Sequence, residues 1–395
     1  MNASLRKLAR EKIYWHSTRI INFPGFLINY LFATTYYDLV TSRRKKVYAG
    51  RRERGSRVAI FLTFPQFGLK PSHINTLTYL LRKGYAPIVV SNLQFSEPER
   101  SSILDNCWKL IERPNFGYDF GGYREAILSL GADLAALDRL VLVNDSSWFP
   151  LPETSDWLDD VEAMGVDFAG AASNLGVDGP EPSDFRSMVW NNQSTLPNFH
   201  YCSFALCIAG PVLRDPAFRR FWQRFSLTND KFLTVRRGEV GLTQWVMTRS
   251  FSHGATLNIQ RLDLDLAACL PQRLREVTRE TIIAECPELR AIKKGVLARY
   301  DGSDAWCEEA RRFILTAVAR AGVSYVLSEF IIHERGFPFL KKSPIWLNEE
   351  SSDSTIRIAQ RLTGSQGEAI LEEALDLRRR RASSFKPLLT QANFD

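Results

Sequence analysis

The 395-residue chain lacks the common signatures of phosphate, metal and membrane chemistry. It has no GxxxxGK(S/T) run, which excludes a P-loop. It has no GxSxG elbow, which removes the serine nucleophile of that type. Its six cysteines (Cys107, Cys202, Cys207, Cys269, Cys286 and Cys307) fall at no CxxC spacing. No zinc motif or disulfide framework follows from them, and free thiols in a reducing compartment are expected. The five histidines form no triad and no ligand set. There is no uncharged apolar run of about 20 residues, the length a bilayer span needs. A signal peptide's short apolar core and small-residue cleavage site are also missing. No internal repeat or low-complexity tract is present.

Positive charge is missing where a nucleic-acid groove would need it. The net charge is +7, but residues 1–57 hold 13 Lys or Arg against three acids, which leaves −3 on the other 338 residues. Nucleic-acid enzymes spread basic charge along a groove; here it is confined to one end, and no nucleic-acid partner is expected. Residues 1–57 read as a basic, aromatic, amphipathic helical arm. Ile20 to Val40 is apolar but carries Asn22, Pro24, Gly25, Asn29 and Asp38, and Arg43-Arg44-Lys45-Lys46 follows. This pattern suits a segment lying in the headgroup region of an anionic leaflet. It suits equally a helical hairpin packed on the body with a solvated basic flank.

The composition, 45% hydrophobic and 24% charged, is that of a globular protein with a sizeable core. Residues 58–260 alternate between strand and helix patterns. Val58 to Phe64, Ala86 to Val90, Trp108 to Ile111 and Leu140 to Val143 are short apolar or β-branched runs, separated by helical stretches. That alternation predicts a doubly wound, mostly parallel α/β sheet. Val166 to Ala171, Phe204 to Ala209 and Thr256 to Ile259 read as further strands. Ser173 to Asn198 reads as a long loop, and Val240 to Arg249 as a helix. Residues 261–395 read as a mainly helical C-terminal region.

Two segments present polar groups where such sheets bind ligands, at the carboxyl ends of strands. The first is Asn115-Phe116-Gly117-Tyr118-Asp119-Phe120-Gly121-Gly122-Tyr123. Gly121 and Gly122 at a helix entrance would let backbone N–H groups approach an anion; a turn that only needs positive φ has the same look. The second is Asn144-Asp145-Ser146, directly after a strand. A strand-end acid can hold a divalent cation that neutralises a diphosphate. Asp145 is a lone acid, however, and an Asx turn or a hydroxyl-orienting role fits it too. Arg236-Arg237-Gly238-Glu239 leads into a predicted helix. The helix dipole favours a carboxylate there, and Glu239 beside an acceptor hydroxyl would be a general base. The plainer meaning is an ordinary first-turn acid. His200 and Tyr201, at the end of the long loop, are placed to line an acceptor site; a lone histidine is more often structural.

In combination, Asn115 to Tyr123 and Leu142-Val-Asn-Asp-Ser-Ser-Trp-Phe-Pro150 resemble the rhamnan synthesis F family of bacterial polysaccharide glycosyltransferases. His200-Tyr-Cys-Ser-Phe204, Glu239-Val-Gly-Leu-Thr-Gln244 and Gly336-Phe-Pro-Phe-Leu-Lys-Lys342 are similar to later family elements, so the resemblance covers about residues 57–345. It implies a GT-A-like fold. It further implies a donor site made by Asn115, Gly117, Tyr118, Asp119, Gly121 and Gly122 with Asn144, Asp145 and Ser146, and a catalytic base at Glu239. The implied reaction moves a sugar with inversion from a nucleotide-sugar donor, such as dTDP-rhamnose, to a glycan or lipid-linked glycan of the cell envelope, such as an O-antigen. Mg2+ or Mn2+ at Asp145 would assist, although the two-acid metal motif of many GT-A enzymes is absent. The expected location is cytoplasmic, peripheral on the inner face of the membrane. The missing acid also fits another class, a catalytically silent GT-A-like scaffold in a polysaccharide assembly complex.

Overall fold

A computed structural model describes residues 32–174, 180–191 and 193–385, with side chains to residue 381. Most of the basic arm, residues 1–31, lies outside them. The first described residues already belong to the body. Residues 32–39 are helical, and Tyr37 on their inner face is buried and stacks on Phe116 at 5.5 Å. Strand β1 (Lys46–Ala49) then joins the main sheet, so the sheet reaches back into the segment read as an arm.

The apolar runs become β2 (Arg57–Thr63), β3 (Ala86–Ser91), β4 (Lys109–Glu112) and β5 (Arg139–Asn144). Helix α1 (Pro71–Arg82) links β2 to β3, α2 (Glu97–Leu104) links β3 to β4, and α3 (Tyr118–Ser129) lies between β4 and β5. β6 (Ser147–Trp148), β7 (Phe168–Gly170), β8 (Ser173–Asn174), β9 (His200–Tyr201), β10 (Ala205–Ala209), β11 (His253–Ala255) and β12 (Leu340–Lys341) follow. The main sheet has the order β1-β4-β3-β2-β5-β10-β7-β11. The pairs β4-β3, β3-β2, β2-β5 and β7-β11 are parallel; β1 and β10 run against their neighbours. The fold is thus mixed α/β with a mostly parallel sheet, and both faces of that sheet are covered.

Strand alternation explains the two cores. Ala59, Phe61, Val141 and Val143 point to one face and pack with Leu77 and Leu80 of α1 and Ile103 of α2. Val58, Ile60, Leu62, Leu140 and Leu142 point to the other and meet Phe120, Tyr123 and Ile127 of α3. A strand buried on both sides carries a continuous apolar run rather than an alternating one, which is why β2 reads so clearly. The chain winds outward from β2 in one direction through β3 and β4, then returns to β5 on its other side. The carboxyl ends of β2 and β5 therefore flank a topological switch point, where open α/β sheets bind ligands.

Beyond residue 260 the described chain is mainly helical, including Asp304–Ala321, Glu349–Gln360 and Gly364–Phe385. One short extended piece returns to the sheet. β12 pairs antiparallel with β6, placing Leu340 opposite Trp148 and Lys341 opposite Ser147. No helix among the described residues is long and apolar enough to cross a membrane. All six cysteines are free.

Candidate active site

A cleft of about 470 Å³ opens at the carboxyl end of β5. Its walls come from the start of α3 (Tyr118, Asp119), the end of β5 (Asn144, Ser146), the β9 segment (His200, Cys202, Ser203), Glu239, Lys341 and the Tyr325–Ser343 region. Five separate segments of the chain meet there.

A directed chain of hydrogen bonds lines one wall. The Asn144 amide donates to Asp119 Oδ2 at 2.7 Å. The Ser146 hydroxyl and backbone N–H donate to Asn144 Oδ1 at 2.6 and 3.1 Å. Lys341 Nζ donates to Ser146 Oγ at 3.2 Å and lies 3.7 Å from the centre of the Phe204 ring. Each partner fixes the next, so the Asn144 amide has one satisfied orientation.

The same cleft is lined by Glu239. Residues 231–248 form one continuous helical stretch, and Arg236–Val240 is a π-helical turn within it. Such turns recur at functional sites because they reorient a side chain without ending the helix. The expectation that Glu239 opens a helix is corrected: no helix N-terminus holds its charge. Instead Oε1 accepts from Ser203 N–H at 3.0 Å and Ser203 Oγ at 2.5 Å. Oε2 is 3.4 Å from His200 Nε2. His200 Nδ1 lies 2.8 Å from the Asn198 carbonyl, so a proton there is donated to the backbone. Gly238 makes this placement feasible. A Cβ on it would lie 2.5 Å from the Phe120 ring, itself stacked on Trp222 and Phe225.

Burial and crowding of like charge set the electrostatics. The Asp119 carboxyl is pushed up to about 6, first by burial, then by the Glu239 and Asp145 charges, against the opposing pull of Lys341 and Asn144. Burial pulls the Lys341 ammonium down to about 8, opposed by Cys202, Glu239 and Asp119. Burial raises the Cys202 thiol to about 12, so it is neutral and not a nucleophile.

The structure divides the sequence candidates. It brings Tyr118, Asp119, Asn144, Ser146, His200 and Glu239 to one cleft. Asp145 departs from expectation. Its carboxylate accepts from Phe64 N–H at 2.9 Å and lies 3.5 Å from His73 Nε2 on α1, the side of the sheet away from α3. Lys70 N–H donates to His73 Nδ1, which leaves the ring proton on Nε2 facing Asp145. These bonds hold the Asp145 carboxyl below its ordinary value despite burial. Asn144, not Asp145, meets Asp119. Asp119 and Asp145 therefore do not converge on one cation, and no group of three or more His, Cys, Asp or Glu side chains able to hold a metal occurs among the described residues.

The glycines also have another role. Gly121 N–H bonds to the Gly117 carbonyl within the helix, so it is not offered to an anion. A Cβ on Gly121 would lie 2.2 Å from the Phe116 carbonyl, and one on Gly122 would lie 2.4 Å from Leu62. Gly122 thus permits close packing of α3 on β2, and Gly121 permits the tight turn that leads into α3. Gly117 has φ +81 and donates its N–H to Asn229. Tyr118 follows at φ +48, a conformation costing a non-glycine residue about 1–2 kcal/mol. Asn115 is exposed and is not part of the cleft wall. Tyr201 turns away to a second cavity, where its hydroxyl meets His253 Nδ1 at 2.7 Å. Sequence reasoning missed Ser203 and Lys341 as site residues. Both lie in segments noted only as similar to a family, His200 to Phe204 and Gly336 to Lys342.

Residues 87–290, just over half of the chain, match the family described as rhamnan synthesis protein F. The chain belongs to this family. A curated relative, uncharacterised protein y4gN of Sinorhizobium fredii, is 32% identical over 209 residues. That match covers 53% of this chain, and the chain spans about half the length of the relative. Among solved structures, the mannosyltransferase PcManGT of Pyrobaculum calidifontis in complex with GDP-Man and Mn2+ is similar at a TM-score of 0.31 and 11% identity, covering 94% of this chain and 91% of that one. Core-mannan synthase A of Aspergillus fumigatus, in its Mn/GDP form, reaches 0.26 and 12% identity, over 45% and 65% of the two chains.

Proposed function

We propose that this member of the rhamnan synthesis F family is a glycosyltransferase with a GT-A-like catalytic domain. Its cleft takes a nucleotide sugar, dTDP-rhamnose or a similar donor, and transfers the sugar with inversion to a lipid-linked glycan. The observation that carries the reading is Glu239, held by two Ser203 donors and lining one cleft with the Lys341–Ser146–Asn144–Asp119 chain at the sheet's switch point.

The roles follow from chemistry. An acceptor hydroxyl attacks the anomeric carbon while the bond from that carbon to the diphosphate oxygen breaks. The electron pair leaves with the diphosphate, and the hydroxyl proton passes to Glu239. Ser203 fixes Oε1, which leaves Oε2 as the base. Glu239 therefore needs no movement to act, and a preorganised group loses little in reorganisation. His200 sits beside the same oxygen, where it can bond the acceptor. Asp119 is placed for a sugar or ribose hydroxyl. Tyr118, strained and 44% exposed, offers a ring face to a flat group such as the base.

The helical segment 32–39 supports a peripheral membrane role. Phe32, Tyr36 and Leu39 are exposed on one side of it, beside Arg43, Arg44 and Lys46. An apolar stripe rimmed by cations suits an anionic leaflet on which a lipid-linked acceptor is presented.

Turnover with a panel of nucleotide sugars and lipid-linked acceptors, read as nucleoside diphosphate release, tests the reading. Sugar-dependent release that rises with acceptor supports it. Tight nucleotide binding with no release under any pairing would favour the silent scaffold instead.

A further inference from the structure

The two lysines at the end of the Gly336–Lys342 segment have different fates. Lys342 Nζ is paired with Glu373 at 2.8 Å, on the α1 side. Lys341, across the strand, points into the cleft. Its contacts are a hydroxyl, Ser146 Oγ, and an aromatic face, Phe204. A part-buried ammonium held by a hydroxyl and a ring has replaced little of its hydration, and the low-dielectric wall strengthens its pull on any incoming anion. The β6–β12 pairing sets its position, so it does not depend on a mobile loop. Ser146 adds a second polar atom beside it.

The cleft also needs such a group. Asp119 and Glu239 give it negative character, and Asp145 is bonded elsewhere. A departing diphosphate carries further negative charge into that space. Either a cation or fixed donors must meet it for the bond to the sugar to break readily.

We infer that Lys341 binds the diphosphate of the donor and stabilises it as it leaves, doing with a side chain what a divalent ion does in many such enzymes. This rests on the nucleotide-sugar reading of the cleft. Lys341 takes no proton in the step; its three N–H donors contact the diphosphate oxygens while the electron pair settles there. Ser146 Oγ, which accepts from Lys341 in the free protein, holds the ammonium in place until the ligand arrives.

The test is calorimetric binding of a series comprising nucleoside, nucleoside diphosphate and nucleotide sugar, in EDTA and in Mg2+, to the wild-type chain and to Lys341→Met and Lys341→Gln. Both variants leave the backbone pairing of β12 intact. Wild type is expected to bind the nucleoside diphosphate in EDTA. Each variant should lose about ten- to hundredfold in that affinity, with nucleoside affinity within about twofold, which also shows that the variants are folded. Equal affinity of wild type and variants for the diphosphate overturns the assignment and leaves the nucleotide-sugar reading standing. Binding that appears only with Mg2+ and is indifferent to Lys341 overturns it as well. If the wild type binds no member of the series under either condition, the reading and the assignment fall together.

Discussion

Asp119→Asn should stabilise the protein at neutral pH. The carboxyl is raised from 3.8 to about 6, chiefly by burial and then by Glu239 and Asp145. About two units at about 1.4 kcal/mol per unit give a ceiling of about 3 kcal/mol for the cost of ionising it in the folded state. The cleft is open to solvent, so about 1–2 kcal/mol is expected. The sign follows from proton linkage. A carboxyl whose folded value is raised contributes stability in its neutral form, fully present below about pH 4 and lost as pH rises through about 6. The amide variant is neutral throughout and still accepts from Asn144 through its carbonyl oxygen, so the hydrogen bond survives. Urea unfolding of both proteins at several pH values from 4.5 to 7.5, compared pairwise, reads the effect. The gain should be small at the acid end and should level off above about pH 7. A difference that does not vary with pH, or a variant less stable at pH 7.5, would refute the assigned electrostatics.

Three further outcomes are expected. Gly238→Ala should cost about 1–3 kcal/mol of stability in a urea melt, because the new Cβ meets Phe120, which is stacked and cannot retreat; unaltered stability would mean the π-helical turn is not packed as described. Replacing Phe32, Tyr36 and Leu39 together by Ser should weaken binding to anionic vesicles by about tenfold or more without changing the melting profile, and unchanged binding would sink the membrane role. This is a cleaner test than truncation at residue 50, which would remove β1 and the buried Tyr37. Ser203→Ala should lower turnover about tenfold or more with little effect on donor affinity, since Ser203 Oγ steadies the Glu239 oxygen that is not the base; a loss confined to donor binding would contradict that role.

The parts of this protein that were legible in sequence are those set by local pattern. β2, β3 and β5 announced themselves because central strands buried on both faces carry near-continuous apolar runs. The placement of Asn144 and Ser146 at a strand exit followed directly. Side-chain direction was not legible. Asn144 and Asp145 are adjacent, yet one faces α3 and the other α1, and nothing local distinguishes the carboxylate that reaches the cleft from the one bonded to Phe64 and His73. Gly121 and Gly122 looked like an anion cradle; their lack of a side chain serves contact with Phe116 and Leu62 instead. Glu239 was found by its place in a motif, but its holder Ser203 lies 36 residues earlier in the chain. Lys341 was hidden more deeply. Its partner Ser146 is 195 residues away, joined through a two-residue strand pair that carries no periodic signal. Extended segments this short are recognised by their partners, not by their own residues.

The most direct test of the central claim is Glu239→Gln, assayed for both donor affinity and transfer under single-turnover conditions. The amide keeps the shape and can still accept from Ser203 through its oxygen, but it cannot take a proton. The prediction is donor binding within about threefold of wild type and a transfer rate lower by about a hundredfold or more. Transfer at the wild-type rate, with binding intact, would show that Glu239 is not the base and would contradict the account.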